Sequence, residues 1–288
     1  MHDVAHGAKA ARALNRIMAA TLVVPALAPL LGSAILAVGD WRMIFLALAA
    51  IGTAVGVWVA LGIPETRARA GDQASGPGGP PGRPRAADSP PPSMFRFVGY
   101  TAVVSLGFMS MYAYVSAAPF LFQNMFGFSP TGYALIGAGL SLLMAGIGLS
   151  GSRLIGRTTR WGLITAARVV DLSLAWLVAG SALVLAAVLT DASAPWFIAA
   201  LAVTVAPVAL ISGSGMALAM DAAPMPGGRS SAIIGFTQAL LGAAAPPLVG
   251  VLGVDARPMA ILLAAAAVAA LIAARLSTSS RRGEADVR

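Results

Sequence analysis

Charged residues divide the chain into long uncharged stretches, and the lengths of those stretches predict its elements. They run over 17–39, 43–64, 97–152, 172–190, 192–220, 230–254 and 258–274. An α-helix of about 20 apolar residues crosses the hydrocarbon core of a bilayer, so six of the stretches read as single spans. The remaining one, 56 residues from 97 to 152, reads as two. Gln123, Asn124, Gly127, Ser129, Pro130 and Gly132 supply its break, a polar and turn-rich patch. The pattern predicts eight spans and an all-α membrane protein.

Within the first span the pattern breaks its own rule. Pro25, Pro29 and Gly32 lie in the middle of an apolar run, ahead of Trp41 and Arg42. Proline removes a helical hydrogen bond and clashes with the preceding turn. In a bilayer neighbouring helices re-satisfy the freed groups, and small residues let helices approach closely. These three positions therefore read as a kink and a tight crossing, with either a packing or a conformational role. Trp41 reads as an anchor at the membrane surface and Arg42 as a loop charge.

Composition supports the membrane reading. Of 288 residues, 58% are hydrophobic and 10% charged, against about 25% charged in soluble domains. There is no cysteine, which excludes disulfides and thiolate metal sites. The net charge of +8 would suit nucleic acid if it were clustered on one soluble face, but it is not. Of 19 Lys and Arg, only Arg42 and Arg257 fall in alternate loops, leaving 19 − 2 = 17 on the other side. Basic loops stay cytoplasmic, so both termini are expected in the cytoplasm and no nucleic acid is expected as partner. Residues 71–93 contain twelve Gly or Pro among 23 and no large apolar side chain, the composition of a disordered linker.

Several constellations are candidates for chemistry. Ser105, Phe108, Met109, Tyr112 and Ser116 fall at i, i+3, i+4, i+7 and i+11, on one helical face. An aromatic and methionine face with a few hydroxyls suits an adaptable apolar binding site; a helix-packing face has the same composition. Gln238 is the clearest neutral polar group deep in a span, suited to substrate contact or to bonding between helices. Asp171, three residues after Arg168, reads as an interfacial ion pair, as does Glu65 with Arg67 and Arg69. Gly146, Gly148 and Gly151 match a dinucleotide fingerprint but lie inside an apolar span, without the strand that fingerprint requires. His2 and His6 have no carboxylate or thiol partners for a metal. No catalytic constellation lies in the spans, so no enzyme is expected.

The order of motifs carries a resemblance. Ala28-Pro29-x-x-Gly32 precedes Asp40-Trp41-Arg42-x-x-Phe45, and Pro64-Glu65-Thr66 ends the next span. After the linker come Tyr112, Tyr114, Ser116, Pro119 and Phe120, then Phe126-Gly127, then Ser231-Ala232 through Gln238. Asp3 with Ala10, Ala11 and Arg12 fits the stretch after the family's fourth span. The chain resembles the Bcr/CflA branch of drug–proton antiporters in the major facilitator superfamily, with Ser33 in place of a second glycine. The resemblance implies a twelve-span fold of two six-helix halves, of which the chain carries spans five to twelve. Residues 1–66 would be the last two helices of the first half, 67–95 a cytoplasmic linker, 96–276 the second half and 277–288 a cytoplasmic tail.

It also implies efflux of small apolar or amphipathic molecules by alternating access, in exchange for protons, from the bacterial inner membrane. No cofactor is implied beyond the proton gradient, and a complete transporter would be monomeric. The implied cavity residues are Ser105, Phe108, Met109, Tyr112, Ser116 and Gln238. The implied conformational motif comprises Pro25, Pro29, Gly32, Trp41, Arg42, Pro64, Glu65 and Thr66. The spans after the linker hold no central acid, so the proton-binding group is expected in the family's first four helices. Without counterparts of those helices the chain alone is expected to be inactive. The alternative is a non-transporting membrane fragment or subunit that requires a partner chain.

Overall fold

The computed structural model describes residues 31–32, 34–35, 38–62, 92–155, 158–159, 162–251, 253 and 255–286. They fall into two compact units, one on each side of residue 90. In the first, residues 31–32, 34–35 and 38 are helical where described, and α1 spans Trp41–Gly62. Asp40 starts α1: its carboxylate accepts the Arg42 backbone N–H at 3.1 Å, as an N-cap does. None of α1's residues is buried, and Trp58 and Leu61 are among its exposed side chains. Such a helix is stable only where its surroundings are apolar.

The second unit is a helical bundle. Its elements are α2 (Met94–Phe120), a π turn (Leu121–Met125), α3 (Pro130–Leu154), α4 (Ala166–Leu189), α5 (Ala194–Val205), α6 (Val208–Ala222), α7 (Gly227–Val251) and α8 (Ala256–Asp286). Two-residue strands, β1 (Thr158–Thr159) and β2 (Gly162–Leu163), pair antiparallel between α3 and α4. The polar patch does what its residues predict. Gly127 takes a left-handed φ of 68°, and the Ser129 hydroxyl accepts the Gly132 N–H at 3.1 Å ahead of Pro130. Thr165 caps α4 in the same way.

Among the described residues seven helical segments are long and apolar enough to cross a membrane, α5 and α6 counting as one. The eighth expected span, 17–39, lies largely outside them. The 192–220 stretch is not one straight helix: α5 ends at Val205 and α6 starts at Val208, because Pro207 has no N–H to continue the ladder. The stretch expected to end at 274 continues as α8 to Asp286, so residues 277–286 are helical.

Helix α2 is central, packing on α6, α7 and α8. Ser110 donates to the Leu263 carbonyl of α8 at 3.3 Å, and Gly99 lies beside Ser277, so α2 and α8 run antiparallel. Phe97 and Tyr100 pack with Ile234 while Tyr112, farther along, meets Gly242, so α2 and α7 run parallel. The core gathers Leu121, Phe122, Leu174, Leu177, Leu201, Ile211, Met259 and Leu263. Around Phe122 lie the rings of Phe126, Phe128, Tyr133 and Phe197, with centroids 6.1–6.4 Å away.

Candidate functional site

The candidate face of α2 meets α7 at Tyr112. Along α2, Phe108 and Tyr112 are one turn apart and their rings tilt together, with centroids 6.3 Å apart. Tyr112 then reaches across to α7. A Cβ placed on Gly242 would stand 3.0 Å from its Cδ2 and 3.2 Å from its Cε2, so the close approach depends on glycine there. Gln238 lies one turn before Gly242 on the same side of α7. Ile234, Gly242, Ala245 and Val249 on that side are buried, while Gln238 keeps part of its surface open.

At the seam Tyr112 meets Gly242, with Phe108 one turn earlier on α2 and Gln238 one turn earlier on α7. Phe108 and Met109 are half-buried and Tyr112 is 40% exposed. Ser116 is half-buried and donates to the Ala113 carbonyl at 3.1 Å. Ser105 differs from the rest: it is fully buried, and its hydroxyl has no hydrogen-bond partner. One turn earlier Thr101, which the same spacing picks out but no polarity signal marked, repeats the arrangement. Gly242 and Gly215, whose Cβ would overlap Val104, were also missed, since small residues inside apolar runs carry no polarity signal.

The motif residues fare unevenly. Pro25, Pro29, Pro64, Glu65 and Thr66 lie outside the described residues. Gly32 is helical, and a Cβ there would meet no atom within 4 Å, so the described residues make no tight crossing at it. Trp41 is 60% exposed, with the Arg42 guanidinium 5.5 Å from its ring centroid and Phe45 edge-on at 5.8 Å. Asp171 is half-buried, and Arg275 of α8 acts on it electrostatically, a neighbour 104 residues away that the expected pairing with Arg168 did not include. Charged residues stay near the ends of the described membrane-length segments, none deeper than Asp171, the sixth residue of α4. Among the described residues no group of His, Cys, Asp or Glu could hold a metal ion.

Comparison with known proteins agrees with this architecture. The family described as Major Facilitator Superfamily matches residues 1–246. The "Uncharacterized MFS-type transporter YdgK" of Bacillus subtilis (strain 168) is 26% identical over 291 residues, covering 99% of this chain and 69% of its own length. The "Multidrug resistance protein MdtL" of Vibrio parahaemolyticus serotype O3:K6 is 23% identical over 185 residues, covering 63% of this chain and 44% of its own length.

Proposed function

This chain belongs to the Major Facilitator Superfamily, and from that premise we propose that it is a Bcr/CflA-type exporter of small amphipathic or apolar molecules, driven by exchange for protons. It is a multi-pass membrane protein and a transporter by family, not an enzyme. The observation that carries the reading is the half-open α2–α7 seam, where Phe108, Met109 and Tyr112 offer an adaptable apolar surface and Gln238 one polar contact. Sites of this kind, mostly apolar with a few convergent polar groups, bind small molecules. The multidrug name of one relative supports the same class of substrate.

In such a transporter one helical bundle rocks against another around a midplane site. The chain's own part would be to present the seam in one state and close it in the other. A second reading, a subunit that needs helices from a partner chain, is favoured by α1, which buries none of its residues. Proteoliposomes containing the chain, assayed for dye and drug movement under an imposed pH gradient beside empty liposomes and beside the Bacillus relative, separate the two. Movement above the blank that a protonophore abolishes supports the exporter. Movement equal to the blank, while the relative transports, supports the subunit.

Residue-level support comes from the natural absence of cysteine. Tyr112→Cys and Gln238→Cys are expected to react with a small polar thiol reagent and to be shielded by a transported drug. If neither reacts faster than Leu183→Cys on the exposed side of α4, the seam is not the site.

A further inference from the structure

Helix α7 carries two prolines in its interior, Pro246 and Pro247. A helical carbonyl accepts from the N–H four residues on, and proline has none, so Pro246 leaves the Gly242 carbonyl without its regular donor. The second proline removes the substitute. A carbonyl that loses its regular donor turns to the residue five on, as in a π turn, and for Gly242 that residue is Pro247. Three residues on, the Ala245 N–H serves Leu241 in the ladder. Ala243, by contrast, loses only Pro247 and keeps Leu248 as its substitute. The proline pair thus singles out one carbonyl of α7, and it belongs to the glycine against which Tyr112 packs.

We propose that the Gly242 carbonyl is the hydrogen-bond acceptor for the transported molecule, which is therefore an apolar body bearing an N–H or O–H donor. The proposal rests on the export reading and specifies its substrate class.

Residues i and i+4 share a helical face, so the gap between Gly242 and Pro246 lies on the side of α7 that meets α2. Gly242 is buried and Pro246 exposed, which sets the gap at the edge of the seam, closed at one end and open at the other. The ring of Tyr112, itself 40% exposed, is the apolar wall beside it.

In a membrane, neighbouring side chains often re-satisfy a carbonyl freed by proline. Among the described residues no side chain donates to this one. Ser116, one turn beyond Tyr112 on the facing helix, donates instead to Ala113 of its own helix. Lipid chains have no donor to offer. An acceptor left unpaired in apolar surroundings costs free energy, and a molecule that brings a donor into the seam removes that cost. A molecule of the same shape without a donor leaves it in place, and sites of this kind discriminate on that difference.

Carbazole and fluorene test this, since they share one rigid shape and differ in an N–H against a CH₂. Their binding to the whole chain in nanodiscs is measured by equilibrium dialysis, with empty nanodiscs subtracted. Carbazole should bind about fivefold tighter, the net worth of one hydrogen bond. Pro246→Ala restores the N–H that Gly242 lacks, and should bring the ratio to near one while leaving fluorene binding as it was. Pro247→Ala relieves the helix of a proline equally but supplies Ala243, so the ratio should stay near fivefold. Pro246→Leu, which also supplies the N–H and keeps more of the proline's bulk, should repeat Pro246→Ala and replaces it if that variant fails to fold. A preference that survives Pro246→Ala, or is lost to the same extent in Pro247→Ala, would overturn the proposal. Equal binding of the two probes overturns it as well, and if both then weaken in Tyr112→Ala the seam remains the export site. Binding of neither probe overturns the acceptor and the seam together.

Discussion

At the scale of single residues, the hydroxyls of α2 distinguish binding from packing. Ser and Thr in membrane helices commonly donate back to the carbonyl four residues earlier, as Ser141, Ser150, Thr204, Ser212 and Thr237 do here. Thr101 and Ser105 do not, and both are buried. A buried polar group without a partner costs stability, and removing it is near neutral or favourable. Thr101→Val and Ser105→Ala are therefore expected to hold or raise thermal stability in detergent. Ser110→Ala removes a bond between helices and should lower stability by about 0.5–1 kcal/mol. A stability loss in Thr101→Val as large as in Ser110→Ala would mean that its hydroxyl has a partner in the folded state. That Ser105 shares a helical face with Phe108 and Tyr112 was legible from spacing alone. What each side chain meets was not, because the meeting of Tyr112 with Gly242 joins positions 130 residues apart.

At the scale of elements, close helix approach is set by a few glycines. A Cβ on Gly180 of α4 would stand 2.7 Å from the Thr204 Cα of α5, whereas one on Gly146 of α3 would meet nothing within 4 Å. Backbone cannot yield as a side chain can, so Gly180→Ala must push α4 and α5 apart. The expected cost is about 1–3 kcal/mol. Gly146→Ala should be neutral or slightly stabilising, since alanine favours the helix. Unfolding of the two variants in mixed micelles measures the difference; equal midpoints would mean that α4 and α5 are less tightly apposed than described.

Which elements exist was readable because uncharged length and turn chemistry are local properties. Their limits were less so. Charge marks where lipid ends, but a helix does not stop there: α4 begins at Ala166, ahead of Arg168 and Asp171, and α8 carries Arg275, Arg281 and Arg282 on to Asp286. The break at Pro207 was hidden for a related reason, since it falls inside an uncharged run that polarity alone reads as continuous.

For the molecule as a whole, the packing directions and the charges can be combined into an orientation. Helix α2 runs antiparallel to α8 and parallel to α7, as alternating passage through a membrane requires of the first, fifth and sixth spans of the bundle. One side then receives the start of α2, the α3–α4 and α6–α7 connections and the end of α8, with Arg96, Arg153, Arg168, Arg229 and Arg275 near them. The other side receives the π turn, the α4–α5 turn and the start of α8, and of the described Lys and Arg in this unit only Arg257 lies there. Arginine-rich loops as a rule stay cytoplasmic, so the α4–α5 turn is expected to face outward. In this cysteine-free chain, Asp191→Cys is expected to react with a membrane-impermeant maleimide on whole cells. Gly228→Cys, at the start of α7, should react only after the membrane is opened. The reverse pattern would invert the orientation, placing the start of α8 inside the cell and the arginine-rich ends outside it.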